Sequence, residues 1–82
     1  MKKYASVVFL QDSEADEPLD ILNNEGREAA INYLSQWDYG EYYDIREESG
    51  KGSNDRSLEH NGYLLSYNTG IGYIGLEKII SS

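Results

Sequence analysis

Hydrophobic positions follow two different periods along this chain, and the period changes near residue 40. Residues 4–10 form an apolar run apart from Ser6, which predicts a first β-strand covered on both faces and therefore central in its sheet. Residues 27–37 instead carry one apolar stripe at the period of an α-helix, made up of Ala29, Ala30, Tyr33, Leu34 and Trp37. Beyond Gly40, which we expect to end that helix, the pattern is typical of strands and turns.

An acidic connector, residues 11–17, separates the first strand from a shorter helix. Pro18 suits the first helical position, because a missing N–H is no loss there, and the pattern continues to about residue 24. Gly26 is expected to end this helix, so the two helices should form a hairpin or a kinked pair joined at this glycine.

The second half of the chain predicts an edge strand and a β-meander. Residues 42–47 alternate weakly, as in an edge strand, and the polar, glycine-bearing residues 48–55 predict a flexible loop. Asn61-Gly62 predicts a type I′ hairpin turn that pairs His60 with Tyr63. A final strand is expected over residues 73–80, and Gly75 within it suggests a bulge or an aromatic ring lying close over the backbone.

The element order β-αα-β-β-β predicts an α+β fold. We expect one small domain over residues 1–82, with an antiparallel sheet of about four strands and the helical hairpin packed on one face.

The charge of the chain narrows the function. Fifteen acidic residues against seven lysines and arginines give a net charge of −8, which disfavours direct binding to nucleic acid or to an anionic membrane. Such a surface would attract a basic protein partner, or it would simply keep the protein soluble. The absence of cysteine and of any long apolar run leads us to expect a cytoplasmic protein without thiolate metal sites.

No catalytic or metal-binding motif emerges. His60 is the only histidine and lies beside a tight turn, so neither a triad nor a transition-metal site is expected. Gly70, Gly72 and Gly75 have the spacing of a dinucleotide-binding motif, but a strand follows them where the motif requires a helix. Residues 12–16 lack the glycine and the distal glutamate of a calcium loop. We therefore expect a protein that is not an enzyme and uses no cofactor and no metal.

The strongest candidate for a binding surface is the aromatic and acidic stretch of residues 36–43. Trp37 fits the helical stripe and is assigned mainly to the core, whereas three nearby tyrosines cannot all point inward. The acidic connector is a second candidate, although carboxylates at a helix start also serve to oppose the helix dipole. The predicted partner-binding residues are Asp38, Tyr39, Glu41, Tyr42, Tyr43, Asp12, Glu14, Asp16 and Glu17.

Residues 34–41 (LSQWDYGE) and 66–76 (SYNTGIGYIGL), with a weaker match at residues 10–16, resemble small acidic proteins of bacterial conjugative elements and phage-like mobile DNA. That group is largely uncharacterised, so the resemblance implies no catalytic residue. It implies a setting in which small acidic proteins bind and block host defence machinery, some of them by imitating the charge of DNA.

Two functional hypotheses follow. The first is an acidic module that docks into a basic groove, such as that of a host nucleic-acid-binding or defence protein. The second is a homo-oligomeric structural or accessory domain, a homodimer for example, that uses its exposed tyrosines and an edge strand. A small enzyme is a distant third, since it would need His60 to meet at least two carboxylates.

Overall fold

The computed structural model describes residues 3–47 and 56–81, and these form one antiparallel sheet with a helical layer. The predicted flexible loop, residues 48–55, lies outside the described residues. The elements in chain order are β1 (Lys3–Gln11), a 3₁₀ turn (Asp12–Ala15), α1 (Asp16–Glu25), α2 (Arg27–Leu34), a second 3₁₀ turn (Ser35–Trp37), β2 (Tyr43–Glu47), β3 (Arg56–His60), β4 (Tyr63–Asn68) and β5 (Tyr73–Ser81).

The sheet order is β2-β1-β5-β4-β3, with every pair antiparallel. The predicted α+β class is confirmed, although the described residues contain five strands where about four were expected. β1 lies between β2 and β5, so its predicted interior position is confirmed as well. Its predicted cover on both faces is only partial, since Phe9 remains 57% exposed.

The core lies between the helices and one face of the sheet. Leu22 of α1 and Ile31 and Leu34 of α2 form a single buried cluster with apolar side chains of β4 and β5. The sheet contributes Leu65, Tyr67, Ile74 and Leu76 to this cluster. Leu64 is also nearly fully buried, but strand alternation places it on the opposite, outer face.

Both helices differ from their predicted bounds. α1 begins at Asp16 rather than at Pro18, which is accommodated because the first four helical N–H groups have no intrahelical partner. Gly26 ends α1 as predicted, with a φ of +100° that favours glycine. The buried face of α2 comprises Ala30, Ile31 and Leu34, so it includes Ile31, which the predicted stripe omitted. α2 stops at Leu34 and continues as the 3₁₀ turn, where Trp37 is only partly buried against the core.

The hairpin between β3 and β4 has the predicted turn and register. Asn61 and Gly62 have φ values of +55° and +80°, as a type I′ turn requires. His60 pairs with Tyr63, and the register continues through Glu59 with Leu64 and Leu58 with Leu65. Two turn residues therefore determine the alignment of this half of the sheet.

β2 is an edge strand, as predicted, but it is irregular. Tyr42 was expected in this strand and instead precedes it, with its hydroxyl bound to Asp38 in the preceding loop. Asp44 has a φ of +53°, and the pairing of β2 with β1 shifts register beside it. The Arg46 guanidinium holds the edge strand in place through a two-pronged ion pair with Glu77 of β5, at 2.6 and 2.7 Å.

The aromatic ring expected over Gly75 is that of Phe9. A Cβ at position 75 would lie 3.0 Å from Cδ1 of this ring and 3.3 Å from the carbonyl oxygen of Val8. Phe9 also contacts the ring of Tyr73, with centroids 5.4 Å apart. Close packing between β1 and β5 therefore leaves little room for a side chain at position 75.

No helix within residues 3–47 and 56–81 is long and apolar enough to span a membrane.

We predict that Gly75→Ala lowers the free energy of unfolding by about 1 kcal/mol. The strain of overpacking, about 1–3 kcal/mol, exceeds the gain of about 0.5–1 kcal/mol that alanine brings over glycine in a strand. Urea unfolding followed by circular dichroism measures this change. In a Phe9→Ala background the cost should fall to near zero, and an undiminished cost there would show that the ring is not its cause.

Candidate functional site

The carboxylate of Asp38 joins the loop after α2 to the sheet. Its Oδ2 atom accepts hydrogen bonds from the hydroxyl of Tyr63 on β4, at 2.5 Å, and from that of Tyr42, at 3.2 Å. Its Oδ1 atom accepts one from the backbone N–H of Gly40, at 3.0 Å. Gly40 has a φ of +82°, so the loop can turn tightly around this carboxylate.

These hydrogen bonds stabilise the ionised carboxylate and the neutral tyrosines. The hydroxyl of Tyr63 is the main cause that lowers the pKa of Asp38, and the nearby Lys78 adds to the effect. Conversely, the hydrogen bond to Asp38 raises the pKa of Tyr63 to about 12. Burial, followed by the same carboxylate, raises the pKa of Tyr42. Asp38 therefore carries a full negative charge at neutral pH.

An open depression of about 210 Å³ lies beside this hydrogen-bonded loop. It is lined by Ser6 and Val7 of β1 and by every residue from 37 to 43 except Gly40. Tyr39 and Tyr43 are 78% and 68% exposed, so large parts of their rings face solvent. The depression therefore combines four aromatic side chains with two carboxylates.

A second aromatic contact connects this depression to the start of α1. The rings of Tyr33 and Trp37 meet edge to face, with centroids 5.6 Å apart. Burial, and then the charge and hydrogen bond of the Glu17 carboxylate, raise the pKa of the Tyr33 hydroxyl. Glu17 thus lies near the aromatic residues even though it is distant from them in sequence.

The predicted partner-binding residues fall into two groups. The structure brings together the five predicted residues of the loop and of β2, since Asp38, Tyr39, Glu41, Tyr42 and Tyr43 all line the depression. Glu17 is joined to them through Tyr33 and Trp37.

The other predicted acids, Asp12, Glu14 and Asp16, are exposed on the 3₁₀ turn and at the first position of α1. They follow the far end of β1, about 20 Å along the strand from Ser6, at roughly 3.3 Å per residue. None of the three lines the depression.

The sequence interpretation missed three residues that shape this site. Tyr63 was assigned only to the hairpin, yet its hydroxyl makes the shortest hydrogen bond to Asp38. Lys78 pairs with Tyr63 across the strands and places its ammonium group 4.6 Å from the centre of that ring. Val7 was assigned to the core and also lines the depression. The predicted hairpin register placed Tyr63 but gave no signal that β4 approaches the loop at Asp38.

The net charge of the whole chain resides in one segment. Residues 12–41, called here the acidic segment, contain nine carboxylates and a single basic residue, Arg27, which gives −8. The rest of the chain contains six acidic and six basic residues and is neutral overall. Every carboxylate of the acidic segment is exposed except that of Asp38, which is half-buried. The helical layer is therefore strongly negative, while the strands carry balanced charge.

The histidine and carboxylate side chains of the described residues do not form a metal-binding group. No group of three or more histidine and carboxylate side chains converges anywhere within them. His60 lies 3.5 Å from the carboxylate of Glu28, on the side of the hairpin that faces α2. A second, wider depression of about 410 Å³ at the junction of α1 and α2 has Arg27 as its one charged lining residue. Of these two depressions, the one beside Asp38 combines aromatic side chains with carboxylates.

Comparison with known proteins finds no matching family model, no similar curated protein and no similar solved structure. The resemblance to mobile-element proteins stays a prediction.

We predict that Asp38→Asn lowers the free energy of unfolding by about 1 kcal/mol at neutral pH, because charge-assisted hydrogen bonds are lost. The pKa of Asp38 is lowered from 3.8 in the folded state, so its stabilisation is present above that value and lost as the pH falls through the folded pKa. The difference between the two proteins should therefore shrink below about pH 4.

Chemical unfolding at a series of pH values measures this difference. Glu41→Gln is the matched control, since it removes the same charge from the same loop without removing a tyrosine partner, and it should leave stability nearly unchanged. An Asp38→Asn difference that stays constant down to pH 2 would contradict the role of the carboxylate.

Proposed function

We propose that this protein is a non-enzymatic module that binds a basic protein partner through its acidic segment. The observation that carries the proposal is the concentration of the entire net charge of −8 in residues 12–41, against a neutral remainder. Concentrated charge of one sign raises the local concentration of an oppositely charged partner and accelerates encounter.

The depression beside Asp38 supports this proposal, because charge alone gives little affinity. Interfaces gain most of their binding energy from a few aromatic and arginine anchors near their centre. Tyr39 and Tyr43 present large exposed rings at the end of the acidic segment, and Trp37 lines the same depression. The surface thus combines steering charge with groups that can be buried by a partner.

The proposed partner has a basic groove, of the kind that nucleic-acid-binding proteins use to hold phosphates. By occupying such a groove, an acidic module would compete with nucleic acid and so inhibit the partner. The resemblance to mobile-element proteins makes a host defence protein the proposed target. Location in the cytoplasm, where such partners are found, belongs to the same proposal.

A homo-oligomeric accessory role is the second candidate, and one observation favours it. Tyr43 and Ile45 are exposed on the edge strand β2, Ile45 by 54%, and a sheet edge can pair with a second copy. Asp44 opposes this, because its φ of +53° and its carboxylate interrupt the edge between those two residues. Copies of a chain with a charge of −8 also repel one another.

Self-association tests the homo-oligomeric role. We predict that sedimentation equilibrium shows a monomer at micromolar protein concentration and moderate salt. Asp44→Gly should remove the charge while keeping the backbone conformation, and is the variant best suited to reveal latent edge pairing. A wild-type dimer under these conditions would favour the homo-oligomeric role over the proposed one.

For the acidic segment, the test compares two variants with the same net charge. Glu14→Gln with Asp16→Asn neutralises two carboxylates of the segment, and Asp44→Asn with Glu47→Gln neutralises two exposed carboxylates of β2. Affinity capture from bacterial lysate with mass spectrometry identifies the partner, whose affinity is then measured at several salt concentrations.

We predict that the double variant in the acidic segment (Glu14→Gln with Asp16→Asn) weakens partner binding about 5- to 10-fold and reduces its salt dependence. The double variant in β2 (Asp44→Asn with Glu47→Gln) should change the partner affinity less than about 2-fold. Equal losses for both pairs would show that only net charge matters. Binding that does not weaken with salt would contradict the proposal itself.

A further inference from the structure

We infer that the depression beside Asp38 receives the guanidinium group of an arginine side chain from the basic partner. The inference rests on the proposed function and names the chemical group that this one site recognises. The volume of about 210 Å³ lies below the roughly 300–1,000 Å³ of ordinary small-molecule pockets. A single long side chain matches it better than a cofactor does.

The lining of the depression selects a cation. Trp37, Tyr39, Tyr42 and Tyr43 surround it, and the faces of aromatic rings attract positive charge. Two carboxylates lie among these rings, and no basic side chain lines the depression. An anionic ligand would be repelled there, and a neutral ligand would gain nothing from the charge.

Glu41, rather than Asp38, is the carboxylate available to the incoming cation. Asp38 already accepts three hydrogen bonds and interacts electrostatically with the positive charge of Lys78. Glu41 is exposed, and it makes no hydrogen bond or ion pair within the described part of the chain. Its side chain can move to meet a ligand without breaking a contact that holds the loop.

A guanidinium group fits these features better than an ammonium group does. It is planar, so it can lie against an aromatic ring while its N–H groups bind a carboxylate in parallel. It is also more weakly hydrated than an ammonium, so less solvation is lost when it enters. The hydroxyl of Tyr42 is held by Asp38, which keeps that ring in place before the ligand arrives.

The test titrates the full-length protein with blocked five-residue peptides that contain one arginine, lysine, trimethyllysine or citrulline between glycines. Trp37 is the only tryptophan, so its fluorescence and its indole N–H resonance report directly on the depression. We predict a millimolar Kd for the arginine peptide, at least about 5-fold weaker binding of the lysine and trimethyllysine peptides, and no binding of the neutral citrulline peptide.

Variants locate the binding. Glu41→Gln and Tyr39→Ala should each weaken the arginine peptide at least about 5-fold, while Tyr39→Phe keeps the ring and should retain binding. Glu47→Gln removes an exposed carboxylate outside the depression and should change nothing. Urea unfolding of each variant confirms that the fold is retained, as expected for exposed positions.

Several outcomes would overturn the inference. Equal binding of arginine and citrulline would exclude recognition of charge, and tighter binding of trimethyllysine would assign the site to quaternary ammonium groups instead. Amide shifts confined to residues outside 6–7 and 37–43 would place the ligand elsewhere. If no peptide binds while the two charge-matched pairs still separate in partner affinity, this inference fails and the proposed function stands. If the arginine peptide binds and the two charge-matched pairs have equal partner affinity, the proposed function fails and this inference stands.

Discussion

The carboxylate of Asp38 is the interaction on which the arrangement of the candidate site depends. Residues 38–42 have no regular secondary structure, so their position relies on the bonds that Asp38 makes to Gly40, Tyr42 and Tyr63. Because Tyr63 belongs to β4 and the loop follows α2, a single side chain fixes the helical layer to the sheet at this corner. Tyr39 and Tyr43 are exposed on a loop that is held by these hydrogen bonds.

The hydrogen bond from Tyr63 also distinguishes Asp38, a structural carboxylate, from Glu41, which is proposed to bind the partner. Three donors and the nearby Lys78 already stabilise the charge of Asp38, so its carboxylate oxygens are largely occupied by contacts within the protein. Glu41, three residues later and exposed, has no such role in holding the fold. The sequence presents these two acids as equivalent, and only the position of β4 distinguishes them.

Local patterns in the sequence predicted most of the fold. The Asn61-Gly62 turn determines the β3–β4 register by itself, and Gly75 indicated a close aromatic contact because glycine in a strand usually marks one. The predicted helical stripe omitted Ile31, since it centred the buried face on Tyr33 and Trp37, whereas the sheet covers Ala30, Ile31 and Leu34.

The connections made by Tyr63 and Glu17 were beyond prediction from sequence. Both are tertiary contacts between residues at least 16 positions apart, Asp38 with Tyr63 and Glu17 with Tyr33, and they leave no periodic signal. The location of the charge was readable from the sequence, but the sequence did not show that residues 12–41 form the helices, 3₁₀ turns and loop that connect β1 to β2.

The location of the net charge in residues 12–41 bears on whether the acidic residues serve only to keep the protein soluble. A small domain buries a modest core, and concentrating like charge in one layer adds repulsion that destabilises the compact state. The same eight negative charges spread over the surface would keep the protein soluble at a smaller cost in stability. The chain instead balances its charges across the strands, as in the pairing of Arg46 with Glu77, and leaves the helical layer unbalanced beside exposed aromatic rings. This arrangement supports the proposal of a basic partner over a role in solubility alone.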